Sequence, residues 1–198
     1  MIMSKALAAE HAWQFAQPGL LTPEFCNHYY YKETFMEIER KFTITALPGD
    51  LAAHPCLVIE QAYLNTDPVI RIRRQNDEYY LTYKGKGLLV RDEYNLPLNK
   101  EAYEHLRTKA DGNIISKKRY LFPVDRPAFV RDYVPSGAIP ALTIELDVFE
   151  PPFAPLVIAE VEFPDEEMAK AFIPPDWFLE DVTFDPQYHN STLSRKVF

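Results

Sequence analysis

The segment 36–42 carries charged residues at alternate positions, with Ile38 and Phe42 between them, and this pattern limits what the chain can fold into. In a β-strand, side chains two positions apart share a face of the sheet. Glu37, Glu39 and Lys41 would then form one charged row, with apolar residues on the opposite face. An exposed edge strand can carry such a row. Two carboxylates beside an ammonium group also suit a divalent cation held next to a polyanion.

The same alternation recurs along the chain, and the charges are segregated by segment. Acidic rows lie in 36–42, 142–149 and 156–163, and basic rows lie in 69–74, 84–91 and 117–119. If these faces point into a closed sheet, one wall of its interior would be acidic and the other basic. Arginine and lysine side chains could then bind a chain of phosphates, and the carboxylates could hold Mg²⁺ or Mn²⁺.

Short segments rich in Val, Ile, Tyr, Phe and Thr predict β-strands separated by turns. They cover residues 36–44, 57–64, 69–74, 79–85, 88–95, 117–122, 128–133, 142–149 and 156–163. Helices are predicted at 99–110, capped by Asn99 and ended by Asp111-Gly112-Asn113, and at 165–173. Many strands and few helices predict an α+β, mainly β fold whose antiparallel sheet closes, or nearly closes, into a barrel.

The composition disfavours several classes of function. A net charge of −8 argues against nonspecific nucleic-acid binding as the main activity. Cys26 and Cys56 provide neither a disulfide framework nor zinc-ligand spacing. No apolar run reaches transmembrane length, and the N-terminal residues lack the pattern of a secretion signal. We therefore expect a cytoplasmic protein that binds neither nucleic acid nor membranes.

Residues 36–198 resemble the CYTH superfamily, the triphosphate tunnel metalloenzymes, and within it the bacterial inorganic tripolyphosphatases. The family motif E-x-E-x-K is formed here by Glu37, Glu39 and Lys41. Further motifs follow in order: Arg71-Ile72-Arg73, Thr82-Tyr83-Lys84, Arg91-Asp92-Glu93-Tyr94, Lys117-Lys118-Arg119-Tyr120, Glu145 to Phe149 and Glu160 to Phe163. Residues 1–35 lie outside the resemblance and are expected to form an N-terminal extension.

The resemblance implies an eight-stranded antiparallel closed β-barrel, the triphosphate tunnel, with a few flanking helices. It implies metal-dependent hydrolysis of inorganic tripolyphosphate, with Mg²⁺ or Mn²⁺ as the cofactor. The expected metal ligands are Glu37, Glu39, Asp147, Glu160 and Glu162, with Glu93 and Glu145 as further candidates. The expected phosphate-binding residues are Lys41, Arg71, Arg73, Lys84, Arg91 and Arg119. Lys117, with help from Tyr63, would orient or deprotonate the attacking water.

Other activities stay open within the same resemblance. A class IV adenylate cyclase or a thiamine or nucleoside triphosphatase would act on an organic triphosphate. The cyclase form of the motif carries His-Phe where this chain has Tyr31-Lys32, which counts against a cyclase. Asn95 stands where many members carry another glutamate, so a noncatalytic triphosphate- or polyphosphate-binding protein is a further alternative. A homodimer also stays open.

Overall fold

The computed structural model describes residues 35–86, 89–135, 137 and 139–198, without the side chains of residues 35, 36, 90 and 91. The first 34 residues of the predicted N-terminal extension, with Cys26, lie outside the described residues, as does the side chain of Arg91. None of the described helices has the length and apolar character needed to span a membrane.

The described residues form eleven strands and three α-helices. The strands are β1 (Phe35–Ile44), β2 (Cys56–Thr66), β3 (Val69–Gln75), β4 (Glu78–Lys84), β5 (Val90–Leu98), β6 (Asp111–Val124), β7 (Ala128–Phe129), β8 (Leu142–Phe149), β9 (Val157–Glu162), β10 (Phe172–Ile173) and β11 (Phe178–Asp181). The helices are α1 (Lys100–Arg107), α2 (Glu166–Ala171) and α3 (Asn190–Leu193), and short 3₁₀ turns cover Leu51–Ala53 and Pro186–Tyr188.

Nine of these strands form one antiparallel sheet in the order β11-β1-β5-β4-β3-β2-β6-β8-β9, and β1 also pairs with β9. A separate small sheet joins β10 to β7. The prediction of a mainly β fold with an antiparallel sheet and few helices is confirmed. The prediction of a closed barrel of eight strands is wrong, since this sheet has nine. The additional strand is β11, which the segment Phe178–Asp181 forms alongside β1.

The two faces of the sheet have different environments. On β1, the side chains of Ile38 and Phe42 are buried in an apolar cluster that includes Met168 of α2. On β3, Ile72 is buried in a second apolar cluster together with Tyr103 of α1. Because these helices cover the apolar rows, the charged residues that alternate with them point to the opposite face.

Arg40 lies within the apolar row of β1, and its side chain caps the C-terminal end of α2. Its Nη1 donates to the carbonyl oxygens of Ala169 at 2.8 Å and Phe172 at 3.0 Å. Its Nε and Nη2 donate to the carboxylate of Asp181 at 3.1 and 2.7 Å. The last carbonyl groups of a helix lack partners within it, so this arginine satisfies them and joins β1 to α2 and β11.

The predicted helix 99–110 is correct in its start and wrong in its end. Asn99 caps α1, since its Oδ1 accepts from the amide of Ala102 at 2.7 Å. The helix ends at Arg107, and Asp111 already pairs with Tyr63 of β2. Backbone pairing with β2 therefore decides the boundary. Strands β10 and β11 escaped prediction because elements of two and four residues carry no usable periodicity.

Gly112 is the position where an added side chain should disturb the fold most directly. Its φ is +70°, and a Cβ there would lie 2.2 Å from the carbonyl oxygen of Ser194. Gly49 has a similar φ of +52° but has no atom within 4 Å of the corresponding position. Gly49→Ala should therefore lower the free energy of unfolding by only about 1–2 kcal/mol, the cost of the left-handed conformation. Gly112→Ala should lower it by more, as measured by urea unfolding, and equal losses would contradict the close contact with Ser194.

Candidate functional site

The charged rows of the sheet meet in a cavity of about 590 Å³, including its open mouth. Strands β1 to β6 and β9 contribute side chains to it, together with the chain around the start of α3. The cavity-lining residues that the sequence predicted are Glu37, Glu39, Lys41, Tyr63, Arg71, Arg73, Lys84, Glu93, Arg119, Glu160 and Glu162. Lys117 and Asp147 are fully buried and lie outside this lining, and Glu145 lines a neighbouring pocket together with Glu162.

Three carboxylates form the part of the cavity that could hold a metal ion. One oxygen each from Glu37, Glu39 and Glu162 lies within 4.8 Å of the other two. The spacing along β1 brings the first two onto one face, and the pairing of β1 with β9 sets Glu39 opposite Glu162. Carboxylate oxygens are the ligands that Mg²⁺ and Mn²⁺ prefer, so this donor set fits such an ion.

The electrostatics of this cluster also fit a cation. Loss of hydration raises the pKa of Glu162 to about 7, and repulsion from Glu145, Glu37 and Glu39 adds to the rise. Loss of hydration is the larger cause, and the three neighbouring carboxylates add repulsion to it. A divalent cation would relieve this repulsion.

Lys41 and Lys84 each lie between two carboxylates of the cavity wall. Lys41 Nζ lies 2.9 Å from Glu39 Oε1 and also donates to Glu160. Burial alone would lower the pKa of Lys41, but Glu160 and Glu39 outweigh burial and hold it above its ordinary value. Lys84 Nζ donates to Glu37 Oε1 at 2.5 Å and lies 2.7 Å from Glu93 Oε2. Lys41 is therefore charged, and both lysines are held in place by carboxylates.

The charged form of Glu93 is likewise stabilised by neighbouring groups of opposite charge. Burial would raise the pKa of this carboxyl, but Lys84 and then Arg71 outweigh burial and lower it to about 2. Asn95 donates to Glu93 Oε1 at 2.9 Å and accepts from Thr82 at 2.7 Å. A glutamate at position 95 would have no proton to donate to Glu93 while ionised, so the asparagine stabilises this carboxylate as an anion.

Arg119 joins three carboxylates across strands β6, β8 and β9. Its Nη2 donates to Asp147 Oδ2 at 2.7 Å and to Glu160 Oε2 at 2.5 Å, and its Nη1 donates to Glu145. The fully buried Lys117 donates to the same Asp147. Burial lowers the pKa of Lys117 to about 8, despite the opposing effect of Asp147. Its roles toward water or phosphate stay predictions.

Arg71 and Arg73 differ from the other basic residues of the lining because their hydrogen-bond partners are neutral. Arg71 Nη2 donates to Thr82 Oγ1 at 3.4 Å and lies 4.0 Å from Glu93 Oε1. Arg73 Nη2 donates to Gln61 Oε1 at 3.0 Å, and its Nη1 donates to the Tyr80 hydroxyl at 3.3 Å. Their positive charge is therefore the least compensated among the described bases of the cavity.

Sequence reasoning missed Gln61 and the residues around the start of α3. Gln61 is fully buried and shares a face of β2 with Tyr63, so the alternation of that strand could have located it. His189, Asn190 and Ser191 also line the cavity, and His189 Nε2 lies 3.1 Å from the carbonyl oxygen of Thr183. These three residues lie in no periodic element of sufficient length, so their position depended on tertiary structure.

Residues 36–194 match the family described as the CYTH domain. An inorganic triphosphatase of Nitrosomonas europaea is 39% identical over 166 residues, covering 81% of this chain and 98% of that protein. An inorganic triphosphatase of Acetivibrio thermocellus is 34% identical over 167 residues, covering 82% and 95%. The crystal structure of an inorganic triphosphatase, 33% identical, superposes with a TM-score of 0.55 and covers 83% of this chain and 98% of that one. With its paired acidic and basic rows and these matches, the chain belongs to the CYTH family.

Proposed function

We propose that this protein hydrolyses inorganic tripolyphosphate, with Mg²⁺ or Mn²⁺ as its cofactor. The observation that carries the proposal is that one cavity contains both the cluster Glu37, Glu39 and Glu162 and the pair Arg71 and Arg73, whose hydrogen-bond partners are neutral. A metal-bound polyphosphate has the charge pattern that complements such a cavity. Two relatives that bear the name inorganic triphosphatase, each at least 34% identical, support the same activity.

The eight strands other than β11 would enclose the substrate as a tunnel. The pairing of β1 with β9, through Glu39 and Glu162 among others, supports this arrangement because it links strands from opposite parts of the sheet order. Residues 36–198 would form the catalytic domain, with residues 1–35 as a separate extension. A cytoplasmic location is part of the proposal and is supported by the low cysteine content.

Phosphate oxygens would be bound by the basic residues of the cavity. Arg71 and Arg73 would engage the chain first, since neutral groups hold them, and Lys41, Lys84 and Arg119 would complete the basic wall. Arg91 belongs to the same proposed set, as its motif position indicates. Asp147 and Glu160 are proposed as metal ligands from sequence, and in the structure both accept from Arg119.

The reaction would require positioning and charge neutralisation more than covalent catalysis. A water oxygen forms a bond to the terminal phosphorus while the phosphoanhydride bond breaks, giving orthophosphate and pyrophosphate. The arginines neutralise charge on the leaving pyrophosphate. The resemblance assigns Lys117 to orient or deprotonate the water, whereas in the structure its buried ammonium group donates to Asp147 and lies outside the cavity lining. Tyr63 of the lining would help to orient that water. A cation on Glu37, Glu39 and Glu162 would supply further neutralisation of the phosphate oxygens.

The proposed activity is tested by measuring phosphate release from tripolyphosphate, ATP and thiamine triphosphate, each with Mg²⁺, Mn²⁺ or EDTA. We expect metal-dependent release that is fastest from tripolyphosphate, and EDTA should abolish it. Faster release from ATP or thiamine triphosphate would assign the protein to an organic triphosphate instead. Binding of tripolyphosphate without release from any of the three would identify a noncatalytic binding protein.

Glu39→Gln should lower metal-dependent turnover on the order of 100-fold, because it removes one charged oxygen ligand from a cluster of three. The measurement is tripolyphosphate hydrolysis at saturating metal. Glu104→Gln makes the same change at an exposed position of α1 and should keep full activity. Full activity in Glu39→Gln would show that this cluster is not the metal site.

Arg73→Ala should raise the KM for tripolyphosphate about tenfold or more, because hydrogen bonds to charged groups contribute roughly 1.5–3 kcal/mol. The turnover number should change less, since the residue is proposed to bind the phosphate chain. The matched control is Arg131→Ala, which removes an exposed arginine. A KM equal to that of the control would remove Arg73 from the phosphate-binding wall.

A further inference from the structure

The basic residues that line the cavity fall into two groups according to their partners. Lys41, Lys84 and Arg119 each contact carboxylates, at distances of 2.9 Å or less. Arg73 differs, since within the described part of the chain no carboxylate oxygen lies within 4.0 Å of its guanidinium. Its hydrogen-bond partners there are an amide and a phenol hydroxyl.

Gln61 is the residue that holds Arg73 from the side of β2. It is 0% exposed, and β2 pairs with β3 so that Gln61 lies directly opposite Arg73. Its Oε1 accepts from Arg73 Nη2 at 3.0 Å, while its Nε2 donates to the Tyr63 hydroxyl at 3.5 Å. An amide can make both bonds because it carries an acceptor and a donor, whereas a carboxylate can only accept.

Tyr80 holds the same guanidinium from the side of β4. Its hydroxyl accepts from Arg73 Nη1 at 3.3 Å and donates to Gln75 Oε1 at 3.4 Å. The Nε of Arg73 is buried and has no hydrogen-bond partner among the described residues. The guanidinium is therefore oriented by two neutral groups and keeps an N–H donor that an anionic ligand could satisfy.

The neutrality of these partners has an electrostatic consequence. A carboxylate beside Arg73 would compensate its charge, and a phosphate would then have to displace or share that partner. A neutral amide fixes the direction of the guanidinium but leaves its charge available to the ligand. Arg73 is thus oriented before the phosphate chain arrives, and less of the binding free energy is lost in ordering its side chain.

We propose that Gln61 is a positioning residue that orients Arg73 toward the phosphate chain and, by being neutral, leaves the arginine's charge available to bind it. The inference rests on the proposed function of the cavity. It makes residue 61 a determinant of polyphosphate affinity although Gln61 lies outside the cavity lining.

The test compares Gln61→Glu and Gln61→Met with the wild-type protein. Gln61→Glu compensates the charge of Arg73 and should raise the KM for tripolyphosphate about tenfold, whereas Gln61→Met loses only the orientation and should raise it about threefold. The turnover number should change less than the KM does, and any change in it would come from the lost amide bond to Tyr63, which is proposed to orient the attacking water. Calorimetric binding of tripolyphosphate in EDTA should weaken in the same order, which separates binding from catalysis. Gln187→Glu adds the same charge at an exposed position and should behave as wild type.

A double-mutant cycle with Arg73→Ala separates positioning from a general structural effect. If Gln61 acts through Arg73, then Gln61→Glu and Gln61→Met should not weaken tripolyphosphate binding further when Arg73 is absent. Equal weakening with and without Arg73 would overturn the proposal. Circular dichroism melting of every variant identifies any that does not fold, and the cycle then rests on the remaining Gln61 variant.

The control outcomes separate this inference from the proposed function. If the wild-type protein binds tripolyphosphate and both Gln61 variants bind it equally well, the role of Gln61 is wrong and the proposed function stands. If the wild-type protein neither binds nor hydrolyses tripolyphosphate, the proposed function fails and the role of Gln61 fails with it.

Discussion

The pairing of opposite charges across neighbouring strands is the interaction on which the rest of the structure depends. A charge buried without a partner costs several kcal/mol, and the inner face of this sheet contains many charged side chains. Lys41 lies between Glu39 and Glu160, and Lys84 lies between Glu37 and Glu93. Apart from Lys41–Glu39, which lies within β1, each of these pairs links two different strands. The same contacts that make the charged interior tolerable therefore also fix the geometry of the cavity.

Strand β1 connects this interior to the outer layer of the protein. Its inner row supplies Glu37, Glu39 and Lys41, and its outer row packs Ile38 and Phe42 into the apolar cluster around α2. A shift of one residue in register would turn the apolar row toward the charged cavity and the charged row toward the apolar cluster. Both rows therefore stabilise the observed register. The bonds of Arg40 to the end of α2 and to β11 add a further constraint on the same register.

Much of this arrangement could be predicted from sequence because alternation identifies which residues share a face. It located the rows of β1, β3, β8 and β9, and the order of the motifs indicated the family. Alternation does not identify partners across strands, so the contact of Gln61 with Arg73 was not predicted. Nor does it detect β11, whose four residues are held by contacts with β1. The start of α3 reaches the cavity through the path of the C-terminal chain, which leaves no local pattern.

Two strand pairs of the sheet set glutamates directly opposite each other: Glu39 faces Glu162 between β1 and β9, and Glu145 faces Glu160 between β8 and β9. Like charges facing each other across two strands oppose their pairing, and at the β1–β9 pair both glutamates belong to the cluster that fits a metal ion. An ion bound there, as proposed, would tie the two strands together and would stabilise the folded state by mass action. Metal binding should then slow the hydrogen exchange of the backbone amides along β1 and β9.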